Sequence, residues 1–302
     1  MLTSLLAEYP RLLAECAVAE RMSRVPGLKL HPTLFHTPLI YGPASARETM
    51  ILIYREYLSI ARASKLPILL TAPTWRLDPS RLAGAGMPAT ILEDAVAFLH
   101  ERREECPDDQ PPVAIGALIG PRHDCYKPEW APTAEESEIF HQPQIEALAA
   151  TAIDFLLAQT LPSVAEAIGI AKAMARTGKP FLLSLCTGTD GSVLDGTTLP
   201  EAMKKIDHCL SPESRPIGYL VNCTHPKFLL AAYRPGELTR LIGIQANGSS
   251  RDVTQLDGAT FTVADPIDSW AASMMELHHR HKVPILGGCC GTNNAHLQAL
   301  AR

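Results

Sequence analysis

Short apolar runs alternate with amphipathic segments along most of the chain. The clearest runs are rich in Val, Ile and Leu and cover residues 66–72, 113–120, 180–186, 216–223, 241–246 and 283–288. Runs of this length between turn residues are typical of buried strands. Between them, as over 89–104 and 134–150, apolar residues recur at helical spacing. This alternation predicts βα units and a parallel sheet.

The units can be followed from the second strand to the eighth, with residues 152–157 as the fourth strand. The beginning is less regular: 1–13 resembles a helix, and 16–19 is the candidate first strand. Ser45 is the expected N-cap of the helix before the second strand. A length of 302 residues suits one large barrel. The predicted fold class is therefore α/β, a single (β/α)8 TIM barrel domain over 1–302 with an N-terminal helix.

Composition and charge argue against several classes of function. The formal net charge is −5, 20% of residues are charged, and no basic cluster indicates a nucleic acid or an anionic membrane as partner. No apolar run approaches the roughly 18 residues that span a bilayer. The N-terminus lacks the basic region of a signal peptide. Eight cysteines without small-domain spacing then favour a reducing, cytoplasmic location.

Cysteines follow two of the predicted strands directly. The last strand ends in Gly287-Gly288, then Cys289 and Cys290, and Cys223 closes the run 216–223. Because the carboxyl ends of parallel strands meet at one face of a barrel, these three thiols are expected to converge there. Three thiolates can hold Zn²⁺ and leave an open fourth position, as in catalytic zinc sites. The alternative is that each is a small buried core residue.

Other possible ligands are weaker candidates. Cys186 ends the fifth strand but is interpreted as a core residue, and Cys125 is placed in an exposed loop without a role. His278, His279 and His281 precede the last strand, so they are expected at the opposite face, on a solvated helix end.

Val221-Asn222-Cys223 and the segment from Gly287 to Thr292 together resemble the homocysteine S-methyltransferase family. The resemblance implies a (β/α)8 barrel whose zinc is held by Cys223, Cys289 and Cys290. It also implies methyl transfer from a small onium donor, such as S-methylmethionine, S-adenosylmethionine or a betaine-like compound, to a thiol such as homocysteine. Zinc would serve that reaction by lowering the pKa of the substrate thiol, which is about 8.5 when free.

Aromatic residues in the predicted loops are candidates for holding a methylated cation, because such cations bind to ring faces. Trp75, Tyr126, Trp130 and Phe140 lie in or near loops that follow strands. Each of them could equally pack against its neighbours.

The chain departs from the family pattern where an amino acid would bind. The family usually has Asp-Gly-Gly-x-Gly-Thr after its first strand, but the segment from Glu15 to Glu20 lacks these glycines. The family usually ends its fourth strand in Glu-Thr, and here Gln159-Thr160 removes the charge that pairs an ammonium group. The altered residues suggest a substrate other than homocysteine, or lost activity. On the resemblance, the candidate substrate-binding residues are Glu15, Thr71, Gln159 and Asn222.

Asn222 has more than one interpretation: it could orient the substrate, orient Cys223, or simply end its strand. The favoured function is zinc-dependent S-methyl transfer, with a small thiol and a methyl donor as partners and a homo-oligomer possible. The alternatives are a methyltransferase for another small thiol or methylated compound, or a non-catalytic zinc-containing binding protein.

Overall fold

Eight parallel strands close into a barrel in which each strand neighbours the next along the chain. The protein is described from a computed structural model that covers residues 1–252 and 264–302. The strands are β1 Leu12–Ala14, β2 Ile68–Ala72, β3 Val113–Ile119, β4 Phe155–Leu161, β5 Phe181–Cys186, β6 Gly218–Asn222, β7 Leu241–Ala246 and β8 Ile285–Gly288. Pairing of Leu12 with Ile285 and of Leu13 with Leu286 closes the barrel. The predicted fold class is confirmed.

Helices cover the outside of the barrel and one of its ends. They are α1 Leu2–Glu8, α2 Ala19–Ser23, α3 Ala44–Ser64, α4 Pro79–Leu82, α5 Ile91–Glu104, α6 Ala134–Ala149, α7 Val164–Ala175, α8 Leu199–His208, α9 Pro226–Ala232, α10 Ile267–His281 and α11 Asn294–Leu300. Short 3-10 turns span Thr37–Tyr41, Pro128–Trp130 and Pro212–Ser214. Within the described ranges, no helix combines the length and apolar character needed to cross a bilayer.

Both faces of each strand are buried, which explains why the runs are continuously apolar. Leu12 and Ala14 of β1 point into the barrel and pack with Phe155, whereas Leu13 packs on the helices outside. Leu2 and Leu5 of α1 join the inner cluster. Because α1 covers the end where the strands begin, access to the interior is left to the end where they finish, called the mouth below.

The first strand was predicted in the wrong place. β1 is Leu12–Ala14, not 16–19, and the predicted helix over 1–13 stops at Glu8. Tyr9 is extended, as expected for a residue before proline, and Leu12 N donates to Pro284 O at 2.9 Å. Glu15 therefore follows the strand directly, and residues 16–18 belong to the loop at the mouth.

Two further boundaries differ from the predictions. β4 runs from Phe155 to Leu161 rather than over 152–157, so Gln159 lies in the strand and Thr160 has a φ of 66° there. α3 has Pro43 at its N-cap, and Ser45 lies inside the helix instead of capping it. The other predicted strands agree with the structure to within about two residues, and β7 agrees fully.

Candidate metal centre

The three predicted thiols converge at the mouth. The Sγ atoms of Cys223, Cys289 and Cys290 all lie within 4.8 Å of one another, and those of Cys223 and Cys289 are 3.2 Å apart. Two sulfurs on one tetrahedral zinc, each at about 2.3 Å, would be about 3.8 Å apart. The spacing therefore fits a common ion. In the described part of the chain, this is the one group of three or more His, Cys, Asp or Glu side chains close enough to share a metal.

Hydrogen bonds between the thiols shift their pKa values in opposite directions. Hydrogen bonds from Cys223 and Cys290 lower the pKa of Cys289 well below its usual range, whereas the bonds that the Cys223 thiol makes to Cys186 and Cys289 raise the pKa of Cys223. One thiolate held by neighbouring thiols is a site that a cation can complete by displacing the remaining protons.

The backbone of Cys223 and the side chain of Asn222 fix the first sulfur. Cys223 has a φ of 55°, a conformation that residues other than glycine seldom adopt. Asn222 Nδ2 donates to Cys223 Sγ at 3.2 Å and to Thr160 Oγ1 at 2.7 Å. Asn222 Oδ1 accepts from Thr160 N at 3.0 Å and Ser184 Oγ at 2.7 Å. The amide thus uses its full bonding capacity to join β4, β5 and β6.

Asn222 is fully buried and is not among the residues that line the cavity at the mouth. Of the roles left open by the sequence, the geometry fits the orientation of Cys223.

The loop after β8 is fixed by backbone bonds and by space. Cys289 N donates to Ala246 O at 2.7 Å, and Gly248 N donates to Cys290 O at 2.8 Å. A Cβ on Gly288 would lie 2.2 Å from Thr292 Oγ1 and 2.7 Å from Cys16 Sγ, so only glycine fits. The thiol pair is consequently held against β7 and the loop after β1.

A cavity of about 660 Å³ opens beside the thiols. Glu15, Thr71 and Gln159 line it together with the three cysteines, so three of the four predicted substrate-binding residues face the same space. A volume of this size can accommodate two small molecules.

The predicted aromatic residues separate into two groups. Trp75 and Tyr126 line the cavity, but Trp130 and Phe140 do not. Trp130 is 53% exposed and stacks under Lys127. Trp75 is already engaged, because its ring stacks on Phe35 at 5.7 Å. Tyr126 is therefore the aromatic side chain best placed near the thiols.

Glu15 is a buried carboxyl group, and among the described residues its hydrogen bonds come from Thr71 alone. Thr71 donates to it through its backbone N at 3.2 Å and through its hydroxyl. Burial raises the pKa of Glu15 to about 7, and the Thr71 hydrogen bonds offset only part of this effect.

The pKa shift of Glu15 predicts a pH dependence of stability. Since the native state holds this proton more tightly than the unfolded state does, the free energy of unfolding should fall as pH rises from about 4.5 to 7 and level off above that. The fall should be about 3 kcal/mol. Urea unfolding of metal-free wild type and of Glu15→Gln at pH 5 and pH 8 isolates this contribution, because other titrating groups cancel in the difference. The exposed Glu8→Gln variant is the control, and identical pH profiles for wild type and Glu15→Gln would contradict the assignment.

Gln159 takes part in a chain of amides across the mouth. Its Nε2 donates to Gln245 Oε1 at 2.7 Å, and Gln245 Nε2 donates to Glu15 O at 3.2 Å. Trp75 Nε1 donates to Gln159 O at 2.9 Å. This row of hydrogen-bonded amides links β4, β7 and the end of β1 without placing a charge at position 159.

The structure corrects the sequence interpretation of Cys125 and adds a contact to that of Cys186. Cys125, expected in an exposed loop, is buried and lines the cavity, so that prediction was wrong. Cys186 is a buried core residue as predicted, but it packs directly against Cys223. Its position at the end of β5 was the signal in the sequence, and the structure pairs it with Asn222.

The histidines before β8 lie in the last turn of α10, away from the mouth, and are not part of the metal group described above. His278 Nδ1 lies 2.8 Å from Val283 O. His281 is buried rather than solvated, which corrects the sequence interpretation of that residue.

Comparison with known proteins finds matches to one family. A family model described as homocysteine S-methyltransferase matches residues 13–302. Homocysteine S-methyltransferase YbgG of Bacillus subtilis (strain 168) is 25% identical over 228 residues, which are 70% of each chain. Homocysteine S-methyltransferase 4 of Zea mays is 25% identical over 212 residues, which are 64% of this chain and 59% of the maize protein.

Solved structures share the fold. Crystal structures of the homocysteine methyltransferase MmuM from Escherichia coli in oxidized and metallated forms match with TM-scores of 0.76 and 0.71. Both are 19% identical and cover 99% of this chain and 98% of theirs. At this identity the likeness establishes a common barrel.

Proposed function

Because this methyltransferase belongs to the homocysteine S-methyltransferase family, we propose that it moves a methyl group from a small onium donor to a thiol beside Cys223, Cys289 and Cys290. The observation that supports the proposal most strongly is that these three sulfurs lie within 4.8 Å of one another at the wall of a cavity. No such convergence is needed for the barrel itself to fold.

The three cysteines would hold zinc. Thiolates are soft ligands that favour zinc over magnesium or calcium, and three of them leave one position for a substrate. When bound, zinc supplies a Lewis-acid position that lowers the pKa of a substrate thiol. The chain's own part is to keep the sulfurs in place, through Asn222 on Cys223 and through the close packing at Gly288.

The rest of the cavity would position the two substrates. The acceptor thiol gives up its proton to solvent, and its sulfur forms a bond to the methyl carbon as the bond from methyl to the onium atom breaks. That electron pair leaves with the donor as a neutral thioether or tertiary amine. Tyr126 offers a ring face near the thiols for the methylated cation. Glu15, Thr71 and Gln159 are proposed to contact the acceptor. The cytoplasmic location and a possible homo-oligomer stay predictions from the sequence.

Metal analysis and a substrate panel test the proposal together. Purified protein should contain about one zinc per chain. Mass spectrometry should detect a methylated thiol when S-methylmethionine, S-adenosylmethionine or glycine betaine is combined with homocysteine or other small thiols. Chelated protein is the control and should be inactive until zinc is restored. If zinc-loaded protein methylates no thiol, the proposal is contradicted and the alternative function of a zinc-containing binding protein is favoured. If methyl transfer survives removal of the metal, the proposed role of the metal is contradicted.

A further inference from the structure

Arg76 is a cation in the cavity wall that no carboxylate of the described residues pairs. It is half-buried, follows β2, and lines the same cavity as Cys223, Cys289 and Cys290. Its Nε is buried without a hydrogen-bond partner. Arg81 nearby differs, because its guanidinium lies 2.5 Å from Asp78 and donates to Arg122 O at 2.7 Å. Arg81 is thus used by the protein itself, whereas Arg76 is available to a ligand.

The guanidinium of Arg76 is held by aromatic rings. Its central carbon lies 4.4 Å from the centroid of the Phe35 ring and 4.9 Å from that of Trp75. Those rings stack with an interplanar angle of 12°. Trp75 is anchored by its bond to Gln159 O, and Gly120 makes room for it, since a Cβ there would lie 2.6 Å from Trp75 O. A planar cation stacked in this way keeps its N–H edge free for a flat anion such as carboxylate.

Acidic groups in the wall do not neutralise Arg76. Asp124 is near it without forming an ion pair, and its carboxylate accepts from Tyr126 N at 2.9 Å. Asp78 is engaged by Arg81 and Ser80. Burial lowers the pKa of Arg76, because a charged group loses hydration that no partner replaces. Arg122, stacked on Phe140 at 4.8 Å, adds another cation to the wall.

The carboxylates that line the cavity, those of Glu15, Glu20 and Asp124, each already accept a hydrogen bond from the backbone. The Gln159 amide is uncharged and is hydrogen-bonded to Gln245. Thr71 donates its backbone N–H and its hydroxyl proton to the Glu15 carboxyl group, so these two side chains are bonded to each other. Glu20 is paired with Arg24 and accepts from Gly291 N.

We propose that Arg76 binds the carboxylate of the thiol acceptor, so that the preferred acceptors are small mercaptocarboxylates whose amino group is dispensable. This assignment rests on the proposed function and specifies its substrate class. It makes Arg76 a specificity-determining residue, which lines the same cavity as the sulfurs that would hold the other end of the acceptor.

Three acceptors that differ by one group test the assignment: homocysteine, 4-mercaptobutyrate, which lacks its amino group, and 3-aminopropanethiol, which lacks its carboxylate. In wild type, 4-mercaptobutyrate should match homocysteine within about threefold in kcat/KM, and 3-aminopropanethiol should be about 30-fold worse. Arg76→Gln should lower kcat/KM for both carboxylates by about 30-fold and leave 3-aminopropanethiol within about threefold. Arg76→Lys should restore part of the loss. Arg62→Gln, which removes a surface cation paired with Asp109, is the matched control and should change nothing.

Other results would overturn the assignment. An equal loss for all three acceptors would make Arg76 structural. Arg76→Gln could instead change only the KM of a donor that carries a carboxylate and have no effect when trimethylsulfonium is the donor. That result would place the donor's carboxylate, not the acceptor's, at Arg76. Calorimetry of 4-mercaptobutyrate binding to the purified protein, without a donor, decides the question independently of turnover. The affinity should drop about tenfold or more in Arg76→Gln but not in Arg62→Gln. Equal affinities in wild type and Arg76→Gln would refute the contact. Absence of turnover with every thiol would count against the proposed function alone.

Discussion

Replacing Cys290 with alanine is expected to remove zinc from the purified protein and to lower methyl transfer by about 1,000-fold or more. A zinc site with an open position has three protein ligands, so the loss of one sulfur leaves too few. The binding free energy of zinc sites is about 10 kcal/mol or more, and each of three ligands carries a large part of it. Cys290 is the exposed member of the group, whereas Cys223 is buried. Its replacement should therefore leave the barrel folded. Elemental analysis and the transfer assay measure the two effects.

Cys209→Ala is the matched control, because Cys209 is also exposed but lies at the end of α8, outside the cluster. It should retain about one zinc per chain and full activity. A Cys290→Ala protein that keeps its zinc and its activity would show that Cys290 is not a ligand.

Replacing Asn222 with alanine is expected to destabilise the protein by about 2–4 kcal/mol and to weaken zinc binding. The substitution leaves the backbone N–H of Thr160 and the hydroxyl of Ser184 buried without their partner, and each such group costs about 1–3 kcal/mol. It also removes the donor that holds Cys223 Sγ at 3.2 Å. Because Thr160 and Cys223 both have positive φ, the ends of β4 and β6 should relax when the amide that joins them is gone. Urea unfolding and zinc titration measure the two parts separately.

Ser184→Ala separates stability from metal binding. It removes one hydrogen bond to Asn222 but leaves the bonds to Thr160 and Cys223. A loss of about 1 kcal/mol with zinc affinity unchanged is expected. Equal zinc affinities in wild type and Asn222→Ala would contradict the positioning role of Asn222.

The metal half of the site could be predicted from the sequence because it depends on strand ends alone. Cys223 and Cys289 directly follow apolar runs that are easily recognised, and parallel strands in a closed barrel must finish at the same face. No knowledge of loop conformation was needed. Asn222 was also identified, although its role required the contacts with Thr160 and Cys223.

The remainder of the site depends on tertiary contacts that local patterns do not encode. β1 has only three residues, and its pairing with β2 and β8, not its own pattern, defines it. Phe35 and Trp75 are far apart in the sequence, so nothing in either segment predicts that they stack beneath Arg76. Cys125 was missed for the same reason: the long loop after β3 is folded back into the cavity.

The two halves of the site also differ in how closely they follow the family pattern. By their sequence motifs the cysteines resemble the family's metal ligands, while Gln159 and the segment from Glu15 to Glu20 depart from the family pattern. Gln159 contributes an amide to a network with Gln245 and Trp75, and Arg76 contributes a cation that no carboxylate of the described residues pairs. We therefore expect the chemistry of transfer to resemble that of the family and the choice of acceptor to differ.

X-ray absorption at the zinc edge of the purified protein tests the central claim most directly. Three sulfur ligands at about 2.3 Å are expected, and Cys223→Ala should remove one of them or release the metal. A zinc environment of nitrogen and oxygen alone, or a spectrum that Cys223→Ala leaves unchanged, would contradict the account.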